Sequence, residues 1–135
     1  MKIIGIVGSR RRNGFFDFRA TAKAFDTLYE AGDCIVSGGC PKGGDRFAEL
    51  IAVEHKMSSI GPDEPYPAEG RVIKIHPALW EDNGKAAGFI RNTEIARDAT
   101  HLIACVAESR TGGTEDTIRK FLVKFGKAEA NLVLV

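Results

Sequence analysis

The sequence of 135 residues predicts one α/β domain, over residues 1–135, with a mostly parallel β-sheet and helices on both faces. Three observations predict this fold class. Short apolar, β-branched runs alternate with segments of helical periodicity, which is typical of βαβ units. The strand-like runs are largely apolar throughout, as expected for strands that are buried on both faces. Loops rich in small residues follow three of these runs.

About five strands are predicted. They lie at Lys2–Val7, Cys34–Ser37, Val72–His76, Leu102–Val106 and Asn131–Val135. Because parallel strands are joined by right-handed crossovers, the arrangement is expected to be Rossmann-like and doubly wound. The carboxyl ends of all strands then lie at one edge of the sheet, which we call the carboxyl edge.

Four segments have the apolar spacing of amphipathic helices. They begin near Asp17, Asp45, Lys85 and Glu115 and extend to about Gly32, Met57, Asp98 and Gly126, respectively. The region Ser58–Arg71 contains three prolines and is predicted to be a long loop. Such a loop is either a flap or a decorated edge of the sheet.

Composition and charge exclude several classes of function. The formal net charge is +1, so no strong overall field attracts nucleic acid, which argues against that partner unless a local basic patch forms. No apolar run approaches the roughly 20 residues of a membrane span, and the N-terminus has no signal-peptide pattern. The three cysteines lack metal-ligand spacing and favour free thiols in a reducing cytoplasm. Neither a metal ion nor a cofactor is predicted.

The loop after the second strand carries the strongest functional signal. It contains four glycines between Ser37 and Asp45 and then opens a helix. Glycine has no Cβ and accepts positive φ, so the backbone N–H groups of such a loop can approach a ligand closely. The N-terminus of the helix adds unpaired donors that suit a phosphate or carboxylate. The alternative is a tight turn with Asp45 as the helix cap. Since one glycine suffices for a turn, four favour an anion-binding loop.

Two further small-residue loops are predicted at the same edge, one beginning at Gly8 and one at Ser109–Thr114. Arg91, in the third helix, is the best candidate for an anion contact because a guanidinium fork suits phosphate. Trp80 either stacks on a base or packs over the sheet edge. The candidate ligand-binding residues are Gly8, Ser9, Arg10, Ser37, Gly38, Gly39, Gly43, Gly44, Asp45, Lys85, Arg91, Asn92, Ser109, Gly112, Gly113 and Thr114.

In order along the chain, these motifs resemble the SLOG superfamily. The resemblance covers nearly the whole chain and includes the three loops, Gly43-Gly44-Asp45-Arg46, Trp80 with Gly84–Gly88, and Arg91-Asn92. More narrowly, the chain is similar to the YspA-like branch of small bacterial and phage proteins. The superfamily joins LOG phosphoribohydrolases, which release a base from a nucleoside monophosphate, with the DNA-processing protein A family, which binds single-stranded DNA. The resemblance implies a nucleotide or nucleotide-derived ligand and, as in LOG relatives, a homo-oligomer.

LOG enzymes use a helix arginine and a glutamate in the motif PGGxGTxxE. Arg91 matches the arginine, but the position of the glutamate falls on Thr117, with Glu115 and Asp116 nearby. A carboxylate stabilises the positive charge that develops on ribose when an N-glycosidic bond breaks. If the protein is an enzyme, Arg91, Glu115 and Asp116 are therefore the candidate catalytic residues. Alternatively, these acids complement the helix dipole beside Thr114 as the N-cap.

Three functional hypotheses follow. The favoured one is binding of a nucleotide-type ligand as a sensor or carrier without turnover, because the matching glutamate is absent. The second is an N-glycosidase acting on a nucleoside monophosphate. The third is single-stranded DNA binding, against which the near-neutral charge and the few aromatic residues at the carboxyl edge argue.

Overall fold

The computed structural model describes residues 1–135 and contains one six-stranded sheet. The strands are β1 (Ile3–Gly8), β2 (Cys34–Ser37), β3 (Ser58–Ile60), β4 (Val72–Ile75), β5 (His101–Cys105) and β6 (Leu132–Leu134). Their order is β3-β4-β2-β1-β5-β6, and every neighbouring pair is parallel. The predicted Rossmann-like α/β fold is confirmed.

The sheet has one strand more than the roughly five predicted. Ser58–Ile60 pairs with β4, with Ser59 opposite Ile73, so the prediction of a loop over the whole of Ser58–Arg71 is wrong at its start. This strand is short, lies at the edge of the sheet and is at most half-buried. It therefore needs no apolar run, which was the signal that marked the other strands.

Five helices accompany the sheet: α1 (Phe15–Leu28), α2 (Gly44–Glu54), α3 (Trp80–Asn83), α4 (Ala87–Asp98) and α5 (Gly113–Arg119). Trp80, predicted in a loop, begins α3. Helices α1 and α5 begin earlier than predicted, and α5 continues through a π-helical turn over Lys120–Lys124. None of the helices combines the length and apolar character that crossing a membrane requires.

Different helices cover the two faces of the sheet. On one face, Ile6 of β1 belongs to a cluster with Phe25 of α1 and Ile51 of α2. On the other face, the neighbouring Val7 belongs to a cluster with Ile95 of α4. Successive side chains of a strand point to opposite faces, so the central strand β1 supplies both cores. This packing fixes α2, α4 and α5 around the carboxyl end of β1.

A buried polar cluster ties the crossover into β4 to α4. His76 is buried, and its Nε2 lies 2.8 Å from Asp98 Oδ2, while its Nδ1 lies 2.8 Å from Glu94 Oε2 without hydrogen-bond geometry. Tyr66 donates a hydrogen bond of 2.9 Å to the same Asp98 oxygen. Burial acts to raise the pKa of Asp98, but hydrogen bonds led by that from His76 lower it to about 2. His76 thus links the end of β4 to α4.

Candidate ligand-binding site

The candidate site lies at the carboxyl edge, where β1 and β5 are neighbours. From β1 the chain moves to β2 on one side, and after β4 it crosses to β5 on the other side. In open α/β sheets, ligands bind in the crevice at such a switch point. The loops that follow β1, β2 and β5 meet here around one cavity.

This central cavity has a volume of about 250 Å³. Glycines, hydroxyl side chains, one amide and three arginines form most of its lining, so it is polar and basic. Nine of the candidate ligand-binding residues line it: Gly8, Ser9, Arg10, Asp45, Arg91, Asn92, Gly112, Gly113 and Thr114.

Arg91 is held firmly at the wall of the central cavity. Its Nη1 donates to Gly38 O at 3.0 Å and lies 3.6 Å from Asp45 Oδ2, while its Nε donates to Asn92 Oδ1 at 3.1 Å. The side chain is 15% exposed, yet its Nη2 group has no hydrogen-bond partner within the protein. Arg91 therefore offers a pre-oriented pair of N–H donors to an anion in the cavity.

Asn92 faces the neighbouring helix α5 and is buried. Its Nδ2 donates to Gly113 O and to Asp116 Oδ2, both at 3.2 Å. These bonds tie α4 to the first turn of α5 at the wall of the central cavity. Asn92 is therefore a structural brace as well as a lining residue.

Asp45 organises the loop after β2. Its Oδ1 accepts a hydrogen bond from Ser37 Oγ at 3.0 Å, and its Oδ2 accepts one from Cys40 N at 3.0 Å. The prediction that Asp45 is itself the helix cap is wrong, because Gly43 occupies the N-cap position of α2. The Asp45 carboxylate instead binds the loop that precedes the helix, which leaves only a small part of it facing the cavity.

Two glycines of this loop contact the protein itself. A Cβ on Gly44 would lie 2.1 Å from the carbonyl carbon of Val7 and 2.2 Å from the nitrogen of Gly8. A Cβ on Gly38 would lie 2.4 Å from Arg91 Nη1. Close packing within the protein therefore requires both glycines, whereas the sequence suggested that the ligand requires them.

The loop before α5 is more open. Gly112 has φ 103° and ψ −163°, and a Cβ at this position would meet no atom within 4 Å. Thr114 and Thr117 follow on the wall of the central cavity, and Thr117 Oγ1 donates to Gly113 O at 3.2 Å. The backbone at Gly112 and Gly113 is thus free to approach a ligand.

The two acids proposed for catalysis are held outside the central cavity. Glu115 accepts two hydrogen bonds from Arg110, at 2.8 and 2.9 Å. Asp116 lies 2.8 Å from Lys120 Nζ and 2.6 Å from Arg119 Nη2. Burial acts to raise the pKa of Asp116, but hydrogen bonds led by that from Lys120 hold it below its usual value. Both carboxylates are therefore engaged in ion pairs.

Two further cavities adjoin the central one. The Trp80 cavity, of about 520 Å³, is bounded by Gly38, Gly39, Lys42 and Trp80 and shares Arg10, Arg11, Cys40 and Arg91 with the central cavity. The outer cavity, of about 830 Å³, lies on the other side along Val106–Arg110. Arg11 lines all three. Their cations are Arg10, Arg11, Arg12, Lys42, Arg91 and Arg110, and their carboxylates are Asp45 and Glu108. Arg12 is paired with Asp17 and Arg110 with Glu115, so the other four cations form most of the local positive charge.

The net charge of +1 does not reveal this local basic patch. The sequence-based argument against a nucleic-acid partner is therefore not supported, because electrostatic attraction depends on where the charges lie.

Other candidate residues lie elsewhere. Lys85 is exposed and lines none of the three cavities, and Ser109 lines the outer one. Three more, Ser37, Gly43 and Gly44, are buried and line none of the three cavities, and Gly39 lines the Trp80 cavity. No group of three or more histidine, cysteine or acidic side chains is placed to hold a metal ion.

Sequence reasoning missed four polar residues of the central cavity: Arg11, Cys40, Thr111 and Thr117. The sequence could have indicated Thr117, because this residue lies one helical turn after Gly113 and therefore on the same face of the helix. Nothing in the sequence indicated Arg11, since three consecutive arginines usually lie in a solvated loop.

Comparison with known proteins identifies the fold. No family model matches the sequence, and no curated protein matches it. DNA processing protein A from Helicobacter pylori, described for its single-stranded DNA binding mode, has a TM-score of 0.64 at 20% identity, with 98% of this chain and 64% of that chain covered. The molybdenum cofactor binding protein from Rippkaea orientalis has a TM-score of 0.64 at 18% identity, covering 98% and 75%.

The chain thus spans less than two thirds of the length of the Helicobacter pylori protein. At these identities the likeness concerns the fold alone. Both structures support the Rossmann-like α/β fold of this chain.

Proposed function

We propose that this protein is a YspA-like SLOG protein that binds a nucleotide or nucleotide-derived ligand in the central cavity, as a sensor or carrier. The observation that carries the proposal is Arg91, whose partly buried guanidinium is fixed by Gly38 and Asn92 while its Nη2 group has no hydrogen-bond partner within the protein. A charged donor fixed in this way at a cavity wall is oriented to bind an anion.

The charge of the cavity supports the same ligand class. Arg10, Arg11 and Arg91 line it against the single carboxylate of Asp45. A phosphate placed between these arginines would also lie near the open backbone of Gly112. Arginine forks and backbone N–H groups are the usual donors to phosphate oxygens.

Binding without hydrolysis is favoured over N-glycosidase activity. Cleavage needs a carboxylate close to the ribose, and Glu115 and Asp116 are occupied by Arg110 and by Lys120 with Arg119. Asp45, the carboxylate that lines the cavity, is engaged by Ser37, Cys40 N and Arg91. Thr117, which lines the cavity where the resemblance would require a glutamate, cannot carry a negative charge at neutral pH. The geometry thus favours a stable complex.

A thermal-shift panel of nucleoside mono- and diphosphates, NAD, ADP-ribose and a short single-stranded oligonucleotide tests the proposal. A ligand present at 100 times its dissociation constant raises the free energy of unfolding by about 2.7 kcal/mol, which is several degrees in melting temperature for a domain of this size. Chromatography of each stabilised mixture then detects released base. Absence of any nucleotide-dependent shift would contradict the proposal.

Arg91→Ala is the decisive variant, and we expect its fold to remain intact. We expect it to weaken nucleotide binding roughly 10- to 100-fold, the loss for hydrogen bonds to a charged group. Arg19→Ala is the matched control, because Arg19 is exposed on α1 and contacts Phe15 rather than the cavity. Equal affinities in the two variants would remove Arg91 from the site.

Single-stranded DNA binding is the second candidate, favoured by the continuous arginine-rich surface over the three cavities. The fold likeness to DNA processing protein A is compatible with it. Arg11 lines all three cavities, so an extended strand would contact it wherever the strand enters. In this case Arg11→Ala should lower the slope of log affinity against log salt concentration by about 0.7, and an oligonucleotide should bind more tightly than any mononucleotide.

A further inference from the structure

We propose that Trp80 forms a base-stacking subsite, so that the ligand is a nucleoside phosphate whose phosphate lies in the central cavity and whose base lies in the Trp80 cavity. The inference rests on the proposed nucleotide function and adds the orientation of the ligand. It predicts which part of the ligand each cavity recognises.

The position of Trp80 supports this assignment. The side chain is 54% exposed, although tryptophan is usually well buried. A Cβ on Gly88 would lie 3.5 Å from Cη2 of the indole, so the edge of the ring lies close to the start of α4. The residue also lines the Trp80 cavity. An exposed aromatic ring at the wall of a cavity is suited to stacking.

The Trp80 cavity combines an aromatic ring and apolar surface with four cations: Arg10, Arg11, Lys42 and Arg91. Pro41, Pro77 and Ala78 supply apolar surface beside the indole, and no carboxylate lines this cavity. Its volume of about 520 Å³ exceeds the roughly 250 Å³ of the central cavity. Cations line both cavities, but the central cavity adds hydroxyl groups and the Gly112–Gly113 backbone, which suit the phosphate, whereas the Trp80 cavity adds the indole, which suits the base.

The junction between the cavities sets the order of the ligand's parts. Arg10, Arg11, Cys40 and Arg91 line both cavities. A single molecule can therefore place its phosphate against Arg91 and extend past this junction to Trp80. Two separate ligands are not required.

The test compares AMP, GMP, CMP and UMP with ribose 5-phosphate, which lacks a base, in calorimetric titrations of the wild type, Trp80→Ala and Trp80→Phe. We expect Trp80→Ala to lose roughly 10- to 100-fold in affinity for the best-binding monophosphate, the effect of removing one stacked base. The affinity for ribose 5-phosphate should not change, and Trp80→Phe should retain most of the nucleotide affinity.

A second measurement needs no variant, because Trp80 is the sole tryptophan of the chain. Stacking should quench its fluorescence on addition of the nucleotide but not of ribose 5-phosphate. A Trp80→Ala affinity that is unchanged for nucleotides, or equally lowered for ribose 5-phosphate, would overturn the subsite while leaving the proposed function standing. Failure of every nucleotide to bind the wild type would overturn both.

Discussion

Helices α2 and α5 begin with similar sequences but in different surroundings. Gly43-Gly44-Asp45 opens α2, and Gly112-Gly113 followed by Thr114, Glu115 and Asp116 opens α5. The start of α2 packs against the backbone at the end of β1, whereas a Cβ on Gly112, at the start of α5, would meet no atom within 4 Å. A pair of glycines before a helix thus serves chain packing in one case and leaves room for a ligand in the other.

Two consecutive residues of α4 connect these helix starts. Arg91 contacts Gly38 and Asp45 on the α2 side, and Asn92 contacts Gly113 on the α5 side. Consecutive residues on a helix point about 100° apart, so one turn of α4 can brace both loops. The central cavity is the space that this arrangement leaves between them.

The largest effect is expected for Gly44→Ala. The added Cβ would lie 2.1 Å from the carbonyl carbon of Val7, and a backbone atom cannot turn away as a side chain can. We expect the free energy of unfolding to fall by about 3 kcal/mol or more and the melting temperature by roughly 10 °C. Thermal and urea denaturation measure both.

Gly61→Ala is the matched control for this substitution. A Cβ on Gly61 would meet only the side chain of Glu64, at 3.4 Å, which can move. Its stability should stay within about 0.5 kcal/mol of the wild type. If Gly44→Ala proved as harmless as the control, the contrast between the two helix starts would be lost.

A smaller loss is expected for Gly112→Ala. The backbone at φ 103° and ψ −163° is open almost only to glycine, so the substitution should cost about 1–3 kcal/mol. No atom lies within 4 Å of the new Cβ, and no clash adds to the strain. Because Gly112 lines the central cavity, nucleotide affinity should fall as well. Urea denaturation and titration with the stabilising nucleotide separate these effects, and a stability loss equal to that of Gly44→Ala would indicate a tight contact.

The sequence predicted the parallel fold and the meeting of three loops because both follow from strictly local patterns. Apolar runs mark buried strands, and the topology of βαβ units brings the strand ends together. The place of Arg91 in a helix could be predicted for the same reason, whereas its role as an anion contact stays a prediction. The edge strand Ser58–Ile60 carries no such pattern and was missed.

Contacts between distant residues were beyond the reach of the sequence. Nothing near Gly44 in the chain reveals that Val7 lies against it. The ion-pair partners Arg110 and Lys120 are close in the sequence to Glu115 and Asp116. Which carboxylate faces the cavity, however, depends on the rotation of α5 against α4. That rotation is set by packing and by hydrogen bonds such as those of Asn92.

An intermediate effect is expected for Asp45→Asn. An amide keeps an acceptor for Cys40 N but loses the charge that faces Arg91 at 3.6 Å. We expect stability to fall by about 1 kcal/mol and nucleotide affinity to stay equal or rise, since the only carboxylate lining the central cavity is removed. Weaker binding of AMP with unchanged binding of inorganic phosphate would show instead that Asp45 binds a ribose hydroxyl.

The smallest effect is expected for Asp116→Asn, at the start of α5, and concerns the dependence of protein stability on pH. The pKa of Asp116 lies below its usual value because hydrogen bonds led by that from Lys120 outweigh burial. A lowered folded-state pKa adds stability above the unfolded-state value of about 3.9. That contribution is lost as the pH falls through the lower, folded-state pKa. The wild type should therefore be more stable than Asp116→Asn near neutral pH, and the difference should narrow below about pH 4.

Urea denaturation of both proteins between about pH 7 and pH 3 measures this difference. Asp98, whose pKa is also lowered, to about 2, does not obscure this difference because it is present in both proteins. A difference that stays constant with pH would mean that the Asp116 carboxylate is not stabilised by its cations. The start of α5 would then be held by Asn92 and packing alone, much as the start of α2 is held by its contact with β1.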